Sequence, residues 1–233
     1  MAFKFKQFSI EDDCSTMKVG TDAVLVGAWT NPSKHHKILD IGTGSGVIAL
    51  MLAQKSEAQI TALEIDENAA IQASENFSSS TWSEQLNIIN DSLQSFSQKS
   101  NEKFDLIISN PPFFEDSLLS PVENKKNAKH TVLLSFEELL SACDTLLTEL
   151  GTANFIIPYS GYARFKNLAS LNKLHLKTIL KIRPTPTKDY NRCILSFSRT
   201  HTDFIEEELC IRDSNSNYTS EYKELTKDYY LNF

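Results

Sequence analysis

The sequence predicts an α/β fold: a mostly parallel seven-stranded sheet with helices on both faces, its last strands antiparallel, and a short β-hairpin at the N-terminus. Three observations carry that expectation. Short apolar runs such as residues 38–41 and 104–109 have the length and β-branched character of strands buried on both faces. Stretches of helical periodicity alternate with them, as parallel strands joined by crossovers require. A glycine-dense turn, Gly42-Thr43-Gly44-Ser45-Gly46, links the first of these strands to a helix.

Residues 3–10 alternate apolar and polar around Phe3, Phe5, Phe8 and Ile10 and read as a half-buried strand, with residues 14–19 pairing back on it after the turn Glu11-Asp12-Asp13. Gly20-Thr21-Asp22 then precedes an apolar helix over residues 23–29, with Thr21 or Asp22 as its N-cap; the cap reads equally as structural or as a contact for the methionine end of a cofactor. Residues 38–41 form the first parallel strand, and the glycine turn leads into a helix over residues 47–55. Glycine is required where backbone adopts positive φ and approaches a ligand closely. Val47 stands where a dinucleotide fingerprint expects its last glycine, so NAD or FAD fits this turn less well than S-adenosylmethionine. Asp40, at the strand's end, would face the cationic end of that cofactor.

Residues 60–63 are the second parallel strand. They lead to Glu64, about twenty positions after the turn, where a carboxylate accepting both ribose hydroxyls is expected. A helix over residues 66–80 and a strand over residues 86–90 follow. Asp91 then either serves the cofactor or caps the helix that starts at Ser92. The run 104–109 passes without a gap into Asn110-Pro111-Pro112-Phe113. Two prolines cannot donate ladder hydrogen bonds, so the chain leaves the sheet there, with Asn110 and Pro111 held extended at the carboxyl end where ligands of open α/β sheets bind.

Residues 114–131 are polar, and Lys125, Lys126, Lys129 and His130 cluster beside the proline motif as either a solvated loop or a phosphate contact. Ser135 and Glu138 have capping-box spacing at the start of a helix over residues 134–150, stopped by Gly151. A strand over 152–157, a helix over 159–172 and a strand over 176–182 come next. The proline-broken segment 183–188 is a rigid surface loop carrying Lys188. Residues 192–199, beginning at Arg192, close the sheet as a hairpin with the preceding strand. The last stretch reads as an appended strand and a short terminal helix.

The bulk numbers fit one domain over residues 1–233: an N-terminal hairpin and helix in 1–30, a core in 31–200 and an appendage in 201–233, from 233 residues of which 41% are hydrophobic. No segment approaches the apolar length of a membrane span and the N-terminus is no signal peptide, which places the protein in the cytoplasm. Four cysteines without any Cys-x-x-Cys spacing read as reduced thiols, and His35-His36 as a solvated turn, so no metal is expected. The net charge of −7 and pI near 5.3 weigh against nonspecific polyanion binding, although local basic clusters override a total.

On these motifs the chain resembles the class I, Rossmann-like S-adenosylmethionine-dependent methyltransferases that carry an Asn/Asp-Pro-Pro-Tyr/Phe tetrapeptide. Among them it is similar to the bacterial adenine-N6 methyltransferases of valine tRNA, along residues 17–22, 38–46, 110–113 and 218–231. The resemblance implies that Gly42, Gly44, Gly46, Glu64 and Asp91 hold S-adenosylmethionine. It implies that Asn110, Pro111, Pro112 and Phe113 are the catalytic motif, with the target adenine on Asn110, Pro111 and Phe113. Two acceptors, the Asn110 side-chain oxygen and the Pro111 carbonyl, would grip the hydrogens of a poorly nucleophilic ring amine and favour its pyramidal form, while Phe113 stacks on the base. The partner implied is the anticodon stem-loop of a tRNA, met by a monomer, with Lys125, Lys126, Lys129, His130, Lys188 and Arg192 as phosphate contacts. Phe113 stands where Tyr is commoner, and Lys129 where relatives often have Arg, a point charge in place of a bidentate clamp. The same tetrapeptide serves protein-glutamine N5 methyltransferases, for which only about 35 residues before the first parallel strand leave too little substrate domain. It also serves ribosomal RNA guanine-N2 enzymes, which usually carry extra domains. A noncatalytic cofactor-binding partner subunit has no need of the tetrapeptide.

Overall fold

The computed structural model describes residues 2–15, 18–112 and 134–233. Phe113, Lys125, Lys126, Lys129 and His130 therefore lie outside the described residues. The elements run β1 (Phe3–Lys4), β2 (Ser9–Ile10), α1 (Thr21–Trp29), β3 (Lys37–Ile41), α2 (Val47–Ala53), β4 (Gln59–Glu64), α3 (Glu67–Ser78), β5 (Leu86–Asn90), α4 (Leu93–Lys99) and β6 (Phe104–Ser109). They continue with α5 (Phe136–Leu146), β7 (Leu147–Pro158), α6 (Tyr162–Leu171), β8 (His175–Arg183), β9 (Arg192–Ser198), β10 (Ile205–Cys210) and α7 (Ser220–Thr226).

The main sheet has the order β10-β8-β9-β7-β6-β3-β4-β5. Seven strands follow the expected pattern, and the appended strand β10 joins them as an eighth by pairing parallel to β8. The antiparallel character resides in β9, which runs against both β7 and β8. Two apolar cores line the two faces. One packs α1, α2, α3 and the C-terminal tyrosines on the sheet; the other packs α4, α5 and α6 on its reverse. The chain progresses outward from β3 through β4 to β5 and then crosses back to β6 on the other side of β3. That reversal opens a crevice between the carboxyl ends of β3 and β6, the position at which open α/β sheets bind ligands.

Local expectations fail where distant residues intervene. The N-terminal hairpin lies within residues 3–10 themselves, Phe3 pairing with Ile10 and Lys4 with Ser9, and residues 14–15 and 18–19 do not form its second strand. The chain turns between Phe5 and Phe8 because their rings stack on one another, Phe5 stacks also on Tyr230 and Phe8 meets Trp82 edge-on, and Lys6 N donates to the Tyr229 carbonyl. The N-cap of α1 is Gly20, with no side-chain cap; Asp22 is drawn instead to Arg192 Nε at 2.8 Å. Helix α5 has the expected capping box, Ser135 Oγ accepting from Glu138 N at 3.2 Å, but it ends at Leu146 and Gly151 lies inside β7. A side chain at Gly151 would meet Leu147 Cδ1 at 2.8 Å, where β7 is irregular against β6, so glycine here serves a strand irregularity and not a helix stop. Helix α6 begins at Tyr162, after a 3₁₀ turn over Tyr159–Gly161.

Among the described residues no helix is long and apolar enough to cross a membrane, and no group of three His, Cys, Asp or Glu side chains converges as a metal site. The four cysteines are free thiols, Cys143 and Cys193 buried.

Candidate active site

The crevice is built from strand ends. Ser109, the last residue of β6, is fully buried and donates from Oγ to the Ile41 carbonyl at 2.8 Å, which locks the end of β6 to the end of β3. Asn110 and Gly42, the residues that follow, are thereby held side by side. Between Asn110 and Pro112 the prolines supply no N–H, so nothing draws this segment back into a ladder. Asn110 Oδ1 is buried and has no hydrogen-bond partner among the described residues.

The glycine turn takes the geometry its composition predicts. Gly42, Gly44 and Gly46 have φ of +69°, +57° and +87°, values that L side chains rarely adopt. A Cβ at Gly46 would sit 2.4 Å from the Phe77 ring, whereas one at Gly42 would meet nothing within 4 Å; the first glycine thus serves packing and the second leaves space at the crevice. Glu64 fixes the turn from the end of β4: its Oε2 accepts from Gly44 N at 2.9 Å and its Oε1 from Asp66 N at 3.0 Å. Each carboxylate oxygen keeps a lone pair unspent.

Asp40 is fully buried under the turn. Thr43 Oγ1 donates to its Oδ2 at 2.6 Å, and Oδ1 has no hydrogen-bond partner among the described residues. Burial pushes the Asp40 carboxyl up to about 7; the Thr43 hydroxyl and, more weakly, the Ala49 backbone N–H in the first turn of α2 oppose that rise, and the nearby Glu64 carboxylate adds to it. An aspartate so starved of compensating charge is matched to a cation. Asp91, after β5, is tied to the start of α4, Oδ1 accepting from Ser92 N and Oδ2 from Ser95 Oγ, both at 2.8 Å. The Ser95 hydroxyl foremost holds its carboxyl below the usual range. The N-cap of α4 is Ser92 itself, so Asp91 is not the cap.

Asp40, Gly42, Gly44, Gly46, Glu64, Asp91, Asn110, Pro111 and Pro112 thus converge on the carboxyl ends of β3 to β6. Arg192 stands at the same edge of the sheet but on β9, in register with Pro158 and Ile182 and ion-paired to Asp22. Lys188 is exposed in the loop before β9.

Several contributors escaped the sequence reading. Ile65 is 48% exposed directly after Glu64, an apolar side chain at the crevice wall, and Asn90 Nδ2 donates to the carbonyls of Glu64 and Ile65. On α3, Gln72 Oε1 accepts from Cys14 N and Ser15 N, and Asn76 Nδ2 donates to the carbonyls of Glu11 and Ser45. This pair straps the N-terminal segment over the glycine turn. The signal was two amides four residues apart on the inward face of α3, among Ala69, Ala73 and Phe77.

The residues present fit S-adenosylmethionine. A glycine cradle with open space, a ribose-ready carboxylate and a buried, underpaired aspartate suit a cofactor with a diol and a cationic end.

Comparison with known proteins agrees. Residues 16–141 match the family model of the methyltransferase small domain. The structure superposes with TM-score 0.71 on a protein described as a predicted O-methyltransferase from Agrobacterium tumefaciens, at 16% identity over 89% of this chain and 96% of that one. It superposes with TM-score 0.58 on a ribosomal protein L11 methylase from Lactobacillus delbrueckii, at 20% identity over 82% and 84% of the two chains, so these neighbours share the fold. Curated tRNA1(Val) (adenine(37)-N6)-methyltransferases are far nearer in sequence: that of Flavobacterium psychrophilum is 44% identical over 98% of this chain and 99% of its own. That of Bacteroides fragilis is 42% identical over 98% and 97%. With a methyltransferase domain over more than half its length and relatives matched from end to end, the chain belongs to the tRNA1(Val) (adenine(37)-N6)-methyltransferase family of S-adenosylmethionine-dependent enzymes.

Proposed function

We propose that this protein transfers a methyl group from S-adenosylmethionine to N6 of the adenosine at position 37 of tRNA1(Val), the reaction for which its relatives are named. The observation that carries this reading is the Asn110 side-chain oxygen, a buried acceptor without a hydrogen-bond partner among the described residues, beside the glycine turn. An acceptor in that state costs about 1–3 kcal/mol, a cost that a ligand donor would remove.

When bound, the cofactor supplies a methyl carbon on a positively charged sulfur. Gly42, Gly44 and Gly46 let the backbone approach it. Glu64 accepts from the ribose hydroxyls with its remaining lone pairs, Asp91 accepts from the adenine amine, Ile65 covers a flat face, and Asp40 answers the positive charge. The substrate base leaves its stack at a cost of about a few kcal/mol, less in a loop than in a duplex. Asn110 Oδ1 and the Pro111 carbonyl accept the two N6 hydrogens, which turns the nitrogen lone pair out of conjugation and toward the crevice. Stacking on the base is the role expected of Phe113, which lies outside the described residues. The stiffness of Pro111 and Pro112 keeps both acceptors in place, so little reorganisation accompanies the transition state. The surplus proton leaves to water once the new N–C bond has formed. A tRNA substrate supports a cytoplasmic location for the enzyme.

Purified protein incubated with S-adenosylmethionine and a tRNA1(Val) transcript, followed by nucleoside mass spectrometry, tests this. N6-methyladenosine at position 37 is the expected product. Methyl groups appearing instead on ribosomal RNA or on a protein glutamine, with the tRNA unmodified, would sink the reading.

A further inference from the structure

Three tyrosines stand at the rim of the sheet beyond the crevice. Tyr159 begins the turn after β7, Tyr162 opens α6, and Tyr190 lies in the loop before β9, joined to the others where Tyr159 N donates to the Asn191 carbonyl at 3.2 Å. The Tyr159 and Tyr162 rings are 6.0 Å apart and 13° from parallel, and Tyr190 lies 5.4 Å from Tyr159. All three are half-buried, packed at the base and open above. Strands β6 and β7 pair Ser109 with Phe155, so Asn110 is level with Ile156 on the neighbouring strand. Tyr159 stands three residues further out, about 10 Å above the acceptor at the usual rise per strand residue.

The two cations beside Tyr190 are both ion-paired. Lys181 Nζ and Arg183 Cζ lie 5.3 and 5.5 Å from the Tyr190 ring centroid, but Lys181 is bound by Glu206 at 2.5 Å and Arg183 meets Glu208 at 3.6 Å. Lys166 Nζ, 5.9 Å from the Tyr162 centroid and 4.7 Å from that of Phe204, has no ion pair among the described residues and leaves one cation at the edge of the patch, but beside Tyr159 and Tyr190 a phosphate gains little. A nucleobase, flat and uncharged, gains from the π-faces, and single-stranded RNA is recognised by splayed bases on aromatic side chains.

Resting on the proposed tRNA reaction, we infer that Tyr159, Tyr162 and Tyr190 form a stacking platform for bases of the single strand that flanks the target adenosine. The platform binds by stacking, and phosphate contacts are made elsewhere.

The test uses the full chain with Tyr159→Ala and Tyr190→Ala, each paired with the Phe and Leu variants at the same position, and reads methylation of a tRNA1(Val) transcript, affinity for that transcript at several salt concentrations, and affinity for S-adenosylmethionine. Alanine and leucine should each raise the KM for tRNA about tenfold or more, with kcat and cofactor affinity held within about twofold, while phenylalanine restores the wild-type KM. The slope of affinity against salt should not change, because no phosphate contact is lost. Leucine keeps the bulk without the π-face, so it separates stacking from mere packing should an alanine variant fail to fold. The platform is overturned if wild-type protein methylates the transcript and leucine leaves KM unchanged, or if the salt slope drops. Failure of the wild-type protein to methylate the transcript overturns the tRNA reading itself.

Discussion

The mouth between β3 and β6 and the C-terminal latch around α7 are both buried and both polar, yet they are finished differently. In the latch, Tyr229 Oη donates to the Met51 carbonyl at 3.1 Å, Thr226 Oγ1 to the Tyr222 carbonyl at 2.8 Å, and Lys55 Nζ to the Gly27 and Thr30 carbonyls at the end of α1. At the mouth, Asp40 Oδ1 and Asn110 Oδ1 have no hydrogen-bond partner among the described residues, and three glycines hold positive φ. Unpaired buried acceptors persist only when the surrounding structure fixes them. The latch is completed by the chain itself except at Gln54 Oε1, which has no hydrogen-bond partner among the described residues although Gln54 Nε2 donates to the Asp228 carbonyl; the mouth, where two such acceptors meet three positive-φ glycines, is shaped to be completed by ligands. Substitutions in the first should alter stability alone, and those in the second should alter binding and turnover.

The largest effect expected is on turnover. Asn110→Ala removes an acceptor aimed at the reacting amine, and kcat should fall about 10²–10³-fold, as for loss of one preorganised transition-state contact. Cofactor affinity, measured by calorimetry, should stay within about threefold. Loss of both together would erase the distinction between the acceptor and the cofactor cradle.

Asp40 sharpens the comparison through pH. Its carboxyl is raised by burial to about 7 from 3.8, so the folded, ligand-free protein binds a proton that the unfolded chain has already released. Stability from this group is fully present below about pH 4 and is lost as pH rises through about 7, a change on the order of 4 kcal/mol. Urea midpoints between pH 4 and pH 8 should fall for the wild type and flatten for Asp40→Asn. Adding S-adenosylmethionine should restore midpoints at pH 8, because its cationic end favours the ionised carboxylate. A wild-type profile as flat as that of the variant would show the mouth to be as well compensated as the latch.

Between the two regions runs the strap. Asn76→Ala deletes the bonds to Glu11 N and to the Glu11 and Ser45 carbonyls, and should cost about 2 kcal/mol. Since Ser45 belongs to the glycine turn, cofactor affinity should drop with it, which differential scanning calorimetry with and without ligand would register as a smaller ligand-induced rise in Tm. An unchanged ligand-induced rise would assign the strap to the latch.

Which features the sequence disclosed follows the same division between local and distant causes. The strand Leu86–Asn90 and the capping box of Ser135 and Glu138 are determined within a few residues, and both occur where periodicity and spacing put them. The site motifs were equally legible, since a Gly-x-Gly-x-Gly turn and Asn-Pro-Pro-Phe constrain backbone by themselves. The N-terminal hairpin departs from the local pattern because Phe5 answers to Tyr230, more than 200 residues away in the chain, and Phe8 to Trp82. Gly151 looked like a helix stop because local propensity cannot register that the preceding residues pair with β6. Asp22 was an apt N-cap by type and was taken by Arg192 from β9. Gln72 and Asn76 carried a faint signal, two inward amides, whose partners no spacing rule identifies.

The smallest effect tests the latch side. Tyr229→Phe keeps the ring that packs against Phe5 and over which Lys55 lies, and removes only the hydroxyl that donates to Met51. The Met51 carbonyl lies in the last turn of α2, where Lys55 N bonds the Leu52 carbonyl instead, so the loss leaves this buried acceptor without the hydroxyl, about 1 kcal/mol at the low end of what an unpaired acceptor costs. Met51 is also only a few residues beyond Gly46, on the helix that the glycine turn starts. If that helix transmitted strain from latch to mouth, a defect at Met51 would reach the cofactor. A close-packed helix anchored by an apolar face on both neighbours should not transmit it, and chemical denaturation should show the small loss while the Kd for S-adenosylmethionine and the kcat match those of the wild type. A shift in either constant larger than the shift in stability would mean that the latch helps to set the mouth, and that the two regions are one device.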